Sequence, residues 1–260
     1  MGIANRTSDS FFDKGAYFSF DRFLERAESL VAEGADVIDV GGVKAGPGPE
    51  VGEAEELDRV VPAVEALASR FDVPVSVDTW RASVAAEAFA RGAVMGNDIS
   101  GFSDPGYLPA AAAAGASVVA THIRLVPRVP DPEPRYDDLV QEVESFLVDR
   151  ARSAEAHGIP SDRVVLDAGL DLGKTWQQSL TLLRASGRLA SRGYALLLSA
   201  SNKAFLGKLF DLDIESRTTA SLGAAGLGVA LGCRLVRAHD VRGTRRVCDV
   251  LAAISQGEMA

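Results

Sequence analysis

Cysteine is scarce in this chain. It occurs twice in 260 residues, at Cys233 and Cys248, and forms no Cys-x-x-Cys pair. A disulfide-stapled secreted scaffold is excluded, and a reducing cytosol is expected. Positive charge is also in deficit, with 27 Lys and Arg against 36 Asp and Glu and a formal net charge of −9. Phosphate backbones want a basic surface, so no nucleic-acid partner is expected. No apolar run approaches the roughly 18 residues of a membrane span. The first apolar stretch, Met1 to Ala4, is too short for a secretory leader. The chain is read as soluble and cytoplasmic, with no membrane partner. Linkers and low-complexity tracts are missing too, which leaves one domain over residues 1–260.

Apolar residues are plentiful, at 47%. They fall into eight short runs: Gly2–Asn5, Val37–Val40, Val73–Asp78, Ala93–Asp98, Ser117–His122, Val164–Asp167, Ala195–Ser199 and Leu235–His239. Their near-continuous apolar character predicts strands buried on both faces. Between them lie helical patterns: Phe20–Ala32, Ala54–Ala68, Arg81–Ala90, Tyr107–Ala114, Tyr136–Ala156, Trp176–Ser191, Ser216–Leu231 and Arg242–Ile254. Glycine follows most of them, as a left-handed cap requires. Alternating strand and helix predicts a parallel sheet, and eight units of about this total length predict an α/β fold closed as a single (β/α)₈ TIM barrel. An open doubly wound sheet is the alternative; the missing Gly-x-Gly-x-x-Gly turn weakens its dinucleotide-binding form.

The strand ends carry the chemistry. Asn5, Asp39, Asp78, Asn97, His122, Asp167, Lys203, Arg237 and His239 all lie at or just past the C-terminal end of a predicted strand. Barrel closure brings such positions to one mouth. Any one of these groups alone is as well explained as a helix cap. Asp78, Asn97 and Asp167 suit a flat heterocycle with amidine-like N–H donors, which a carboxylate grips with paired hydrogen bonds. Lys203 can donate to a ring carbonyl or nitrogen. Asn5, Arg237 and His239 suit an anion or a metal near the rim. Elsewhere plainer readings hold. The acidic run Glu53–Asp58 reads as a solvated helix start, the glycines of Leu222–Gly232 as close helix packing or a dimer face, and His157 as a solvated helix end. Trp80 and Trp176 read as packing, and Asp171 as a rim salt bridge or a ligand-reading group.

These residues resemble dihydropteroate synthase over essentially the whole chain. The matching motifs run in the family's order: Met1 to Phe11, Ile38-Asp39-Val40-Gly41-Gly42, Ser76-Val77-Asp78-Thr79, Asn97-Asp98-Ile99, Asp167-Ala168-Gly169 with Gly173-Lys174, Ser201-Asn202-Lys203, and Arg237-Ala238-His239-Asp240-Val241. The resemblance implies joining of p-aminobenzoate, an aryl amine, to a dihydropterin methyl diphosphate in folate biosynthesis. Pyrophosphate would be released with the help of Mg²⁺. It implies that Asp39, Asp78, Asn97, Asp167 and Lys203 hold the pterin, with Asp78, Asp167 and Lys203 as the catalytic set. It further implies diphosphate contacts from Asn5, Arg237 and His239, a metal contact from Asn5, Ser201 beside the second substrate, and a homodimer.

The departures fall on the loops. Where the family reads Glu-Ser-Thr-Arg-Pro-Gly, this chain has Val43-Lys44-Ala45-Gly46-Pro47-Gly48, so the threonine and arginine of the second loop are lost. Lys44 keeps a charge but cannot copy a bidentate guanidinium. Ser8 replaces a proline and Arg6 an apolar residue in the first loop. The family's Asp-Pro-Gly-Phe-Gly-Phe-Gly-Lys has become Asp167 to Lys174, without the aromatic wall and with Asp171 added. This pattern is similar to the divergent second copy in actinobacteria, which is regarded as lacking ordinary synthase activity. Three expectations follow: a weak or redirected transferase, a non-catalytic pterin or folate binder, or a barrel recruited to another small molecule.

Overall fold

The computed structural model describes residues 1–7, 19–46 and 48–256; Ser8 and Pro47 of the two mouth loops lie outside them. Eight strands appear where the apolar runs predict them: β1 (Gly2–Asn5), β2 (Ile38–Gly41), β3 (Val75–Asp78), β4 (Ala93–Asp98), β5 (Ser117–Thr121), β6 (Val164–Asp167), β7 (Ala195–Leu198) and β8 (Leu235–Val236). They pair in parallel, in chain order from β1 to β8. A bridge between Gly2 and Ala238 joins the two edges, with Ile3 N donating to Ala238 O at 3.2 Å and Ala238 N to Met1 O at 3.0 Å. The sheet therefore closes as a barrel, and closure removes both edges.

The helices form the outer layer: α1 (Phe20–Ala32), α2 (Glu53–Arg70), α3 (Ala82–Ala90), α4 (Tyr107–Ala114), α5 (Leu139–Ala156), α6 (Trp176–Arg184), α7 (Ser186–Ala190), α8 (Ala204–Phe210), α9 (Thr218–Ala230) and α10 (Val241–Gln256). Strand and helix ends shift by a few residues, as where the strand read over Leu235–His239 stops at Val236, and two helices differ more from the sequence reading. The helix expected from Tyr136 begins at Leu139, because the Asp138 carboxylate accepts from Gln141 N at 3.0 Å and caps it there. The helix expected over Trp176–Ser191 breaks at Ala185 into α6 and α7. Helix α8 was not anticipated; at seven residues it has too few turns to show a period.

Two separate apolar clusters show how the barrel presents its polar groups. The larger lies between sheet and helices. The smaller joins Val119, Val165 and Leu197, with Met95, Ala195, Leu235 and Met1 against them, and fills the barrel interior. Side chains two residues apart on a strand share a face. One step beyond Met95, Val119, Val165, Leu197 and Leu235 come Asn97, Thr121, Asp167, Ser199 and Arg237. The apolar plug of the interior is thus the support of a polar layer at the C-terminal mouth.

Candidate ligand site at the barrel mouth

Barrel closure joins the sequence-predicted groups of four strands through one guanidinium. Arg237, just past β8, donates from Nε to Asp39 Oδ2 at 2.6 Å and from Nη2 to Asp78 Oδ2 at 2.7 Å. Asp39 is fully buried and also accepts from Ser76 Oγ at 2.6 Å and Asn97 Nδ2 at 3.1 Å. The register shift between β3 and β4 at Val75 and Ser76 leaves Asp78 directly beside Asn97. Asn5 at the end of β1 reaches the same layer: its Oδ1 would lie 2.9 Å from a Cβ at Gly41, so glycine there leaves room for the amide.

Asp167 occupies the opposite side. Its carboxylate accepts from Gly169 N at 2.8 Å. Gly169 has a φ of 64°, and a Cβ there would meet His122 O at 1.9 Å, so only glycine lets the β6–α6 loop turn this tightly past β5. The loop then offers Leu170 O to Lys203 Nζ at 2.7 Å. Lys203 stands at the N-terminal boundary of α8, next to Asp167 in the field of the site. Asp171 in the same loop forms no ion pair among the described residues; half-buried, it accepts from Ser179 Oγ at 3.2 Å and from Phe205 N at 3.2 Å, capping α8, and lines the space between the mouth loops. Ser201 and His239 are brought together as well, with Ser201 Oγ 2.9 Å from His239 Nδ1 and accepting from His239 N at 3.1 Å.

Burial tunes these groups. It pushes Asp78 up to about 7, against the pull of Arg237 and with the nearby Asp39 charge adding to the rise. Burial also raises Asp167, with Lys203 opposing. It lowers Lys203, with Asp167 opposing. Asp98 rises to about 6 for the same reason. Burial, then the positive charge of Arg237, drives His239 down to about 3, so its ring is neutral. His122 falls to about 3 through burial and the neighbouring Lys174, whose ammonium lies 2.8 Å from its Nδ1. His122 is therefore tied to the β6–α6 loop. Carboxylates whose protonation is balanced by burial, facing two cations across one layer, mark a functional site.

The sequence reading missed part of this layer. Ser76, Thr121 and Ser199 are buried on the same face as the named groups. Thr121 Oγ1 is buried with no partner. Strand parity, counted from Val119 and Leu197, was the available signal. Glu56 was misread as part of a solvated run. It lies one turn before Val60 on the sheet-facing side of α2, is fully buried, accepts from Thr79 Oγ1 at 2.6 Å and pairs with Arg81.

The second loop is held through its main chain. Arg59 Nη1 donates to Gly42 O at 2.8 Å, Arg81 Nη2 to Val51 O at 2.8 Å, and Arg128 Nη2 to Pro49 O at 2.5 Å. The Pro127–Pro134 segment therefore reaches the second loop. Among the described residues no group of three or more His, Cys, Asp or Glu could hold a metal ion. No helix of the described residues is long and apolar enough to cross a membrane.

The pterin-binding enzyme family model matches residues 1–239. This chain belongs to the pterin-binding enzyme family. Among relatives, the "Inactive dihydropteroate synthase 2" of Mycobacterium leprae (strain TN) is 41% identical, over 98% of this chain and 89% of that protein. The dihydropteroate synthase of Bacillus subtilis (strain 168) is 37% identical, over 98% of this chain and 87% of that protein. Among solved structures, a Yersinia pestis dihydropteroate synthase in a sulfonamide drug complex superposes with a TM-score of 0.95 at 37% identity, covering 98% of this chain and 94% of that one. Relatives named dihydropteroate synthase and inactive dihydropteroate synthase 2 thus both align along nearly all of this chain.

Proposed function

We propose that this chain binds a dihydropterin on the floor of the mouth and is a dihydropteroate-synthase-like transferase with little remaining activity toward p-aminobenzoate. The observation that carries it is the floor of Asp39, Asp78 and Asn97 joined to Arg237, with Asp167 and Lys203 across from it, beneath a second loop without its threonine and arginine. Asp167 would accept paired bonds from the amidine-like edge of the ring. Asn97 and Asp78 would hold the far ring, and Lys203 would donate to a ring oxygen or nitrogen. Arg237, His239 and Asn5 would face the diphosphate, and Ser201 the incoming amine.

In the reaction an amine nitrogen attacks the methylene carbon, the bond from carbon to the diphosphate oxygen breaks, and the amine proton passes to solvent. Carboxylates would stabilise positive charge developing on the ring, and cations the departing anion. Among the described residues the side-chain oxygen of Asn5 has no carboxylate cage, so these residues fit Mg²⁺ as an ion carried in by the diphosphate. Bound so, the ion would neutralise leaving-group charge. Losing the loop-2 threonine and arginine would cost on the order of a thousandfold in rate. We read residues 1–260 as one cytoplasmic domain. We read it as paired in a homodimer through the later helices, where Leu227, Val250 and Ile254 are exposed.

A second reading, a non-catalytic pterin binder, draws on the same loop. Pyrophosphate release from the pterin methyl diphosphate with a panel of aryl amines separates the two. Slow release that needs an amine supports the transferase. Tight pterin binding with no release under any amine replaces it with the binder.

A further inference from the structure

On the Asp167 side of the mouth lies a buried lysine that the proposed chemistry does not use. Lys174 stands at the end of the β6–α6 loop, two residues before α6. Its Nζ donates to three uncharged acceptors: His122 Nδ1 at 2.8 Å, Leu172 O at 2.9 Å and His122 O at 3.2 Å. Three donors meet three acceptors, so the ammonium is spent inside the protein rather than on a ligand. Burial drives Lys174 down to about 7, with the Asp167 charge opposing. Taking a charge out of water without a paired counter-charge is costly, so the group calls for a role that offsets the cost.

The contacts form a chain that ends at Asp167. His122 follows β5, and its N donates to Asp167 O at 2.9 Å. Its carbonyl oxygen is the atom that a Cβ at Gly169 would meet at 1.9 Å, so the Gly169 backbone lies directly on it. Gly169 N in turn donates to Asp167 Oδ1 at 2.8 Å. Lys174 therefore grips the carbonyl on which the turn rests, and the turn holds the carboxylate. The His122 ring is boxed, with the Phe146 ring centre edge-on at 4.9 Å and that of Tyr136 at 6.1 Å. Tyr136 Oη donates to Gly173 O at 2.7 Å, tying the same loop again. An Nδ1 that accepts from Lys174 leaves the ring proton of His122 on Nε2. Lys203, at the start of α8, holds Leu170 O at 2.7 Å, two residues before the Leu172 O that Lys174 holds. We propose that Lys174 is a positioning residue for the ligand-binding carboxylate: acting through His122, it fixes the Asp167 side chain in the orientation that paired hydrogen bonds need. The proposal rests on the pterin reading for the identity of the ligand alone. A site residue displaced by about 0.5 Å already leaves its productive geometry, and both bonds of a pair weaken together.

The test uses the full chain and two variants. Lys174→Met removes the donors, and Lys174→Arg keeps donors of similar reach. The Gly169 amide resonance reports the bond to Asp167, the ring nitrogens of His122 report its tautomer, and calorimetry with dihydropterin reports affinity. In Lys174→Met the Gly169 amide proton should move upfield, the single Nε2–H form of His122 should be lost, and dihydropterin binding should weaken at least tenfold. Lys174→Arg should restore the Gly169 resonance and part of the affinity. An unmoved Gly169 amide in Lys174→Met, or an affinity within twofold of wild type, overturns the proposal. So does a loss of affinity that follows the thermal midpoint and that Lys174→Arg does not recover, which would make Lys174 a brace of the fold alone. A wild type that binds no dihydropterin refutes the pterin reading instead, and the Gly169 resonance still decides the role of Lys174.

Discussion

The floor of the mouth and the second loop above it are built on different plans. On the Arg237 side the floor is fixed by side chain on side chain: Arg237 spans Asp39 and Asp78, and Asp39 alone takes bonds from Ser76, Asn97 and Arg237. The loop is fixed through its carbonyl oxygens, at Gly42, Pro49 and Val51, each held by an arginine from another element. The first plan ties shape to residue identity, because each replaced side chain strands a buried partner. The second leaves shape indifferent to the loop's own side chains. A barrel of this design can lose the chemistry of its lid and still keep both the lid's path and the binding floor.

Arg237→Met should break that contrast most sharply. It leaves two buried carboxylates without their cation and is expected to destabilise the fold by about 3–5 kcal/mol, read as a fall in the urea midpoint. A loss under 1 kcal/mol would mean that the floor is not held as a unit. At the loop, Glu56→Ala should cost about 2 kcal/mol by stranding Arg81 and Thr79 and freeing the Val51 tether. The loop-2 double substitution Ala45→Thr with Gly46→Arg restores the family's residues. Among the described residues a Cβ at Gly46 would meet only Lys44 Cε, at 3.8 Å. Pyrophosphate release should rise at least tenfold with stability unchanged within about 0.5 kcal/mol. No gain would place the lesion in the floor instead.

Much of the fold was legible in the residues, for a physical reason. Strands buried on both faces must be apolar throughout, and a parallel sheet forces a helix between them, so eight runs and their spacers define the barrel. Floor residues were legible because polar groups end apolar runs. What stayed hidden depended on contacts across the chain. Glu56 looks solvated until Arg81, 25 positions later, is seen against it. Asp171 looks like a rim charge until α8 supplies Phe205 N. Thr121 closes an apolar run no differently from a structural threonine, and only its missing partner marks it.

Thr121→Val sharpens that last point. Replacing an orphan buried hydroxyl by a methyl should stabilise the free protein by about 1 kcal/mol. It should also weaken pterin binding by about tenfold if the hydroxyl meets the ring, as calorimetry would read. The smallest effect concerns pH. His122 and His239 are lowered to about 3 in the fold, below the unfolded value near 6.5, so their stability is present above pH 6.5 and lost as pH falls toward 3. Asp78, raised to about 7, works oppositely: its contribution is full below pH 4 and lost as pH rises through 7. Asp98, raised to about 6, acts in the same direction as Asp78. Two histidines against two carboxylates predict little net proton uptake on unfolding between pH 4 and 6, and His122→Gln should turn this into a net release of about one proton, as the slope of the unfolding free energy against pH would report.

Calorimetric titration of dihydropterin into the wild-type chain and into Asp167→Asn puts the floor to its most direct test. Saturable binding by the wild type, weakened at least a hundredfold in a variant that stays folded, is the predicted result, since the amide loses the charge and one acceptor of a paired contact. Equal affinity in the two proteins, or heat-silent titrations of the wild type at millimolar ligand, would contradict the convergence of these strand ends on a pterin.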